Sequence, residues 1–193
     1  VQITLKTVII VFISIVFCFL IHILKDFHLY IANYTHRRHQ QNHEILKELE
    51  TLLTGFWLTD LANFSALFYH RVSNLNWIGF YLSDGKKLKL GPFAGKPACV
   101  EIAFDRGVCG AAFSQKKALV VEDVHKFLGH ISCDPDSLSE MVLPFYAAAK
   151  LVGVLDIDSP LRGRFSDNDL RFFEKALQLL SNKIGESFNA HQL

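Results

Sequence analysis

The stretch N-W-I-G-F-Y-L-S-D-G-K-K-L-K-L, from Asn76 to Leu90, decides the reading of the fold. Its first half alternates with period two, so Trp77, Gly79 and Tyr81 share one face of a strand while Ile78, Phe80 and Leu82 share the other. Ser83-Asp84-Gly85-Lys86 is a turn signal, and Leu88 and Leu90 continue into a partner strand, which makes the segment a hairpin. Upstream, His43 to Thr54 carries Ile45, Leu46, Leu49, Leu52 and Leu53 at helical spacing, with Gly55 placed to stop the helix. Thr59 or Asp60 is expected to cap a second helix that turns Leu61, Phe64, Leu67 and Phe68 to a core.

Downstream, Val100 to Phe104 reads as a short strand, Gly107 to Phe113 as a tightly packed short helix and Ala118 to Val121 as another strand. Glu122 to Ser139 has little periodicity, and a loop of that length inside a compact domain is usually functional or mobile. Ser139 to Tyr146 and Leu151 to Ser159 form a last strand pair joined through Ala147-Ala148-Ala149-Lys150. Ser166-Asp167-Asn168-Asp169 starts a closing helix whose apolar stripe is Leu170, Phe173, Leu177 and Leu180. Helices, then mostly adjacent antiparallel strands, then a helix describe an α+β domain.

The chain has 193 residues, 50% of them apolar, with 20 basic and 19 acidic side chains, which suits one compact domain plus an appendage. Residues 1–41 hold Lys6, Lys25, Arg37 and Arg38 against Asp26 alone, leaving 16 basic and 18 acidic residues beyond them. A mildly acidic body lacks the basic excess of a nucleic-acid binder, so no nucleic acid is expected as partner. Thr7 to Leu24 runs without a formal charge, and as a helix it would reach about 27 Å, just enough to cross a bilayer. The basic excess after it puts the body on the cytoplasmic side. Ile31 to Asn42 reads as a polar linker. The first methionine is Met141. Residues 1–41 are therefore expected to be either a membrane-contacting segment with its linker or upstream sequence foreign to the rest of the protein, and residues 42–193 the functional domain.

Cys99, Cys109 and Cys133 lie in the body and Cys18 in the apolar lead, an odd count that does not suggest a disulfide framework in a cytosolic domain. No cysteine pair has two-to-four-residue spacing, so no metal site is expected, with His130 the only obvious extra ligand for zinc. Taken singly, each cysteine is more often a small buried hydrophobe than a nucleophile. Cys133, in H-I-S-C-D on the long loop, has His130 to favour a thiolate and Asp134 to oppose it. Asp156 and Asp158, in L-D-I-D-S, alternate with Leu155 and Ile157 and so share a face. Two such carboxylates either point into water or need a cation, a metal or a shared proton between them. Glu140, opening the neighbouring strand, is placed to join them.

Several of these segments together resemble the free methionine-(R)-sulfoxide reductases, which are built on a GAF-type domain. They are N-W-I-G-F-Y (76–81), L-G-P-F-A-G-K-P-A-C (90–99), G-V-C-G (107–110), V-E-D-V-H (121–125), G-H-I-S-C-D (129–134), S-E-M-V (139–142) and G-V-L-D-I-D-S (153–159). The likeness runs from about His43 to Gly185. It implies a six-stranded, mainly antiparallel sheet flanked by helices, with the N-terminal apolar helix outside the domain. It implies Cys133 as nucleophile, Cys99 as its resolving partner and Cys109 as an auxiliary resolving thiol or the attacking one. Glu140, Asp156 and Asp158 would bind substrate, and Trp77 and Tyr81 would form an aromatic wall. Implied partners are free methionine-(R)-sulfoxide and thioredoxin as reductant. No cofactor is implied, and monomer and homodimer both stay open. A GAF-type sensor that binds a small molecule without catalysis is the alternative. Phe113, bulkier than the family pattern after G-V-C-G, is expected to affect packing around Cys109.

Overall fold

A computed structural model of the chain describes residues 5–129, 134–185 and 188, with backbone alone for 5–21 and 34. The elements are α1 (Leu5–Leu52), α2 (Trp57–Arg71), β1 (Trp77–Ser83), β2 (Leu88–Gly95), β3 (Glu101–Ile102), α3 (Gly107–Gln115) and β4 (Leu119–Val121). A 3-10 turn (Val124–Lys126), β5 (Ser139–Ala147), β6 (Lys150–Ser159) and α4 (Asp167–Ile184) complete them. The strands form one six-stranded sheet in the order β3-β2-β1-β6-β5-β4, and every adjacent pair is antiparallel.

The alternation in β1 separates two cores. Ile78, Phe80 and Leu82 enter the larger one with Phe64 and Phe68 of α2, Leu155 and Ile157 of β6 and Phe173 and Leu177 of α4. Phe68 lies 5.1 Å from Phe173 and Phe80 lies 5.0 Å from Phe145, ring centre to ring centre, so α2, α4 and the sheet meet through aromatic contacts. Trp77 and Tyr81 point the other way, into a smaller cluster with Val108, Cys109 and Ala112 of α3 and Val142 and Val154 of the central strands. One face of the sheet is therefore an apolar bed for helices, and the other is a shallower layer closed by α3.

Some local expectations are corrected. Neither Thr59 nor Asp60 caps α2, whose N-cap is Phe56 without a side-chain cap. The Asp60 carboxyl, fully buried, instead accepts from the Thr54 amide, the Thr54 hydroxyl and the Gly55 amide, each at 2.8 Å. It thereby holds the turn that enters α2. The stretch 31–42, read as a linker, lies within α1. No glycine or proline interrupts the chain before Gly55, and pairs such as Gln40 Nε2 to Glu44 Oε1 (3.2 Å) support the helix at i, i+4 spacing.

Contacts divide the chain between Glu44 and Ile45 into two units. Among the described residues no helix is long and apolar enough to cross a membrane, and most side chains of the Thr7–Leu24 stretch lie outside that set. The expected Ser166 start of α4 is a full capping box with Asp169. The 147–150 connection is a tight turn in which Ala148 and Ala149 both adopt positive φ (47° and 62°), which joins β5 to β6 in two residues.

Asp60→Ala leaves the Thr54 and Gly55 amides without their acceptor. We expect it to lower stability by about 2–3 kcal/mol, read as a reduced urea midpoint at unchanged m-value.

Candidate functional site

The sheet register assembles the site. Residues directly opposite one another on antiparallel strands share a face, and β6 pairs Asp156 with Gly79 and Asp158 with Trp77 on one side. On its other side β6 pairs Asp158 with Glu140 and Asp156 with Val142. Trp77, Asp158 and Glu140 thus form one row across three strands, and Asp156 lies one step along on the same face. That face is the one α3 covers. Gly110 lets the helix seat closely, since a Cβ there would lie 2.4 Å from the Ala103 carbonyl oxygen. Cys109 then enters the pocket, with its Sγ 3.9 Å from Glu140 Oε1.

The apolar wall is Trp77 stacked on Tyr81 at 5.9 Å and on Phe93 of β2 at 5.4 Å. The Trp77 indole donates to the Lys96 carbonyl (3.1 Å), and the Tyr81 hydroxyl donates to the Cys99 carbonyl (3.0 Å). Gly79 makes room for the indole, because a Cβ there would fall 2.6 Å from its ring and 2.4 Å from the Phe93 Cβ.

Glu140 and Asp156 do not point into water. Asp156 is 7% exposed and Glu140 is buried. Burial, reinforced by the charges of Asp156 and Asp158, pushes the Glu140 carboxyl well above its ordinary value. Burial raises Asp156 to about 6, against hydrogen bonds from Cys109 and Glu140. Burial and the neighbouring charges of Asp156 and Asp134 push Asp158 up as well. The Cys109 thiol is driven upward by burial and then by Asp156 and Glu140. The Tyr81 hydroxyl is raised by burial and then by Asp156. Asp156 Oδ1 is buried without a hydrogen-bond partner. Among the described residues the pocket is therefore rich in acceptors and acids and short of positive charge. Cys109, Glu140 and Asp156 are the one group of three metal-ligating side chains among the described residues, their ligand atoms within 4.8 Å of one another.

Of the residues expected at the site, the structure brings together Trp77, Tyr81, Cys109, Glu140, Asp156 and Asp158. Cys99, just beyond β2, is disulfide-bonded, whereas Cys109 is a free thiol. Cys133 and His130 lie outside the described residues. The ring of Phe113 is taken up by Phe104, stacked at 4.6 Å.

A family profile described as GAF domain matches residues 32–184. The free methionine-R-sulfoxide reductase of Escherichia coli is 48% identical over 128 residues, covering 65% of this chain and 78% of that relative. The enzyme of the same name from Saccharomyces cerevisiae is 40% identical over 152 residues, covering 72% of this chain and 84% of its own. The chain belongs to the free methionine-R-sulfoxide reductase family. The X-ray structure of that family's enzyme from Neisseria meningitidis in complex with its substrate superposes with a TM-score of 0.71 at 34% identity, covering 74% of this chain and 87% of that one. The six-stranded GAF sheet expected of the family is thus present.

Sequence reasoning missed a second tier of this family member's site. Asn76 Nδ2 donates to Asp134 Oδ2 (3.1 Å) and to the Ser137 hydroxyl (2.9 Å), and Lys96 Nζ reaches Asp134 Oδ1 at 3.3 Å and pairs with Asp136. Burial pushes Asp134 upward, but the Asp136 amide, Asn76 and Lys96 outweigh it and hold the carboxyl below its ordinary value. This network ties the end of the long loop to the edge of the pocket. No periodicity marks it, because its members come from three separate turns.

Gly79→Ala is expected to displace the Trp77 indole and to cost about 1–3 kcal/mol through overpacking. The check is a shift in Trp77 fluorescence in a Trp57→Phe background. Glu140→Gln tests the electrostatics. An acid whose folded pKa lies above its unfolded one destabilises the fold increasingly as pH rises from the unfolded value to the folded one. Glutamine removes that loss, so the variant should melt higher than the parent at pH 8, with the gain shrinking toward pH 4.

Proposed function

We propose that this protein reduces free L-methionine-(R)-sulfoxide to L-methionine through a cysteine sulfenic acid and an intramolecular disulfide, with thioredoxin restoring the thiols. The observation that carries the reading is the crowding of buried Glu140 and Asp156 and half-buried Asp158 on one face, beside an aromatic wall and a free thiol and with no cationic side chain among the described residues there. The substrate α-ammonium supplies the missing positive charge and hydrogen-bond donors. A methionine inside a peptide has no ammonium, which makes the pocket selective for the free amino acid. Trp77 and Tyr81 pack the methylenes and the S-methyl group.

Cys133 acts as nucleophile. Its thiolate attacks the sulfoxide, a carboxyl held protonated within the acidic group gives a proton to the sulfoxide oxygen, and the S–O bond of the substrate breaks. A new S–O bond forms at Cys133 Sγ, methionine departs with the two electrons that the cysteine sulfur has lost, and Cys133 is left as sulfenic acid. The Cys99 thiol condenses with it, forming an S–S bond and releasing water. A thioredoxin dithiol then reduces that disulfide by exchange. The disulfide at Cys99 supports its resolving role, and the Tyr81 hydrogen bond to its carbonyl holds it at the pocket rim. Cys109, buried and with its thiol pushed upward, fits the auxiliary role better than the attacking one. A thiol cycle of this kind runs where thiols are kept reduced, which favours a cytoplasmic catalytic domain.

The test is the full chain with each sulfoxide epimer, thioredoxin, thioredoxin reductase and NADPH. NADPH is consumed with the free R epimer and not with N-acetylmethionine sulfoxide, and Cys133→Ser lowers kcat by on the order of 10³-fold or more. Saturable binding of the R epimer without NADPH consumption, while a control reductase turns over, would identify a sensor module instead.

A further inference from the structure

We propose that Cys109, Glu140 and Asp156 form a binding site for a divalent cation of the zinc type, in which the ion occupies the place of the substrate ammonium and so inhibits the enzyme. The site itself is argued from geometry, and only the inhibition rests on the function proposed above.

Three different elements deliver the three ligands: α3 carries the sulfur, and β5 and β6 carry the oxygens. All three residues are buried, and their ligand atoms lie within 4.8 Å of one another. A tetrahedral zinc with Zn–S near 2.3 Å and Zn–O near 2.0–2.2 Å sets sulfur and oxygen about 3.5 Å apart. Cys109 Sγ and Glu140 Oε1 stand at 3.9 Å, so a small side-chain adjustment closes the set. A second, independent observation points to a ligand. Asp156 Oδ1, on a side chain only 7% exposed, has no hydrogen-bond partner.

The donor set selects the ion. An ammonium pairs with a thiolate only electrostatically, whereas one sulfur with two carboxylate oxygens suits coordination of a borderline-soft cation over magnesium or calcium. Three protein ligands leave a fourth position for water. Asp158, across the strand pair from Glu140, adds negative charge without being needed as a ligand. Cys109 remains a free thiol while Cys99 is disulfide-bonded, so the three ligands are available with Cys99 in its disulfide.

Cobalt(II) reads the site without turnover. The full chain, with Cys99 in its disulfide, is titrated with cobalt and then with zinc. One equivalent of cobalt should give a thiolate-to-cobalt charge-transfer band in the near ultraviolet with tetrahedral d–d bands, and one equivalent of zinc should abolish both. Cys109→Ser should remove the charge-transfer band and Cys18→Ser should keep it. Asp156→Asn should weaken cobalt binding by more than about tenfold, the lower end of the loss seen for outer-sphere partners. In the reduced enzyme, zinc should raise KM for methionine sulfoxide and leave kcat unchanged. No charge-transfer band at saturating cobalt, a band that survives Cys109→Ser, or unchanged affinity in Asp156→Asn overturns the proposal. Metal binding in a protein that reduces no sulfoxide overturns the function reading alone.

Discussion

Three carboxyls, two of them buried, and a buried thiol share one face of the sheet, with no cationic side chain among them in the described residues. Like charges at this spacing in a low-dielectric layer cannot all ionise, so the group keeps protons that solvent-exposed acids would lose. That constraint makes the pocket a holder of protons and an acceptor of cations at once. In the proposed reaction one property serves the leaving oxygen and the other the substrate ammonium. The same unmet demand for positive charge exposes the pocket to a metal ion.

Such an arrangement lowers stability, and the fold offsets it on the opposite face. Ile78, Phe80, Leu155 and Ile157 back the very strands that carry Trp77, Tyr81, Asp156 and Asp158, and they are fully buried against α2 and α4. A one-residue slip of β6 against β1 would send the acids into the aromatic core and Leu155 into the pocket. Register is therefore enforced by the hydrophobic side, and the polar side inherits it. Functional sites commonly carry local cost of this kind, held by packing elsewhere.

Much of this was legible from local pattern. Alternation in 76–82 and 153–159 assigns faces without knowledge of the partners, because the β pleat is a two-residue repeat set by the backbone. The turn at Ser83–Lys86 and the Ser166 capping box follow from side chains bonding their own backbone, which is equally local. The α2 cap was not legible. Asp60 has the chemistry of an N-cap, yet it serves the turn before the helix, and its sequence position does not distinguish the two uses. The stretch 31–42 has a linker's composition and a helix's backbone, since nothing in it breaks the helix that precedes it.

The sequence by itself determined the fold class, the face on which Asp156 and Asp158 stand and, through its motifs, the family. Each of these rests on spacing along one strand or on a run of residues. Tertiary structure decided that Glu140 joins the two aspartates, that Cys109 is the thiol among them and that Asn76 and Lys96 hold Asp134. It also decided that Glu140 and Asp156 are buried. Those facts depend on which strands neighbour β6 and on where α3 is laid across the sheet, and such pairings bring together residues such as Cys109 and Glu140, 31 positions apart, and Asn76 and Asp134, 58 apart. A charged residue's environment is a property of everything packed around it, and only the assembled sheet supplies that.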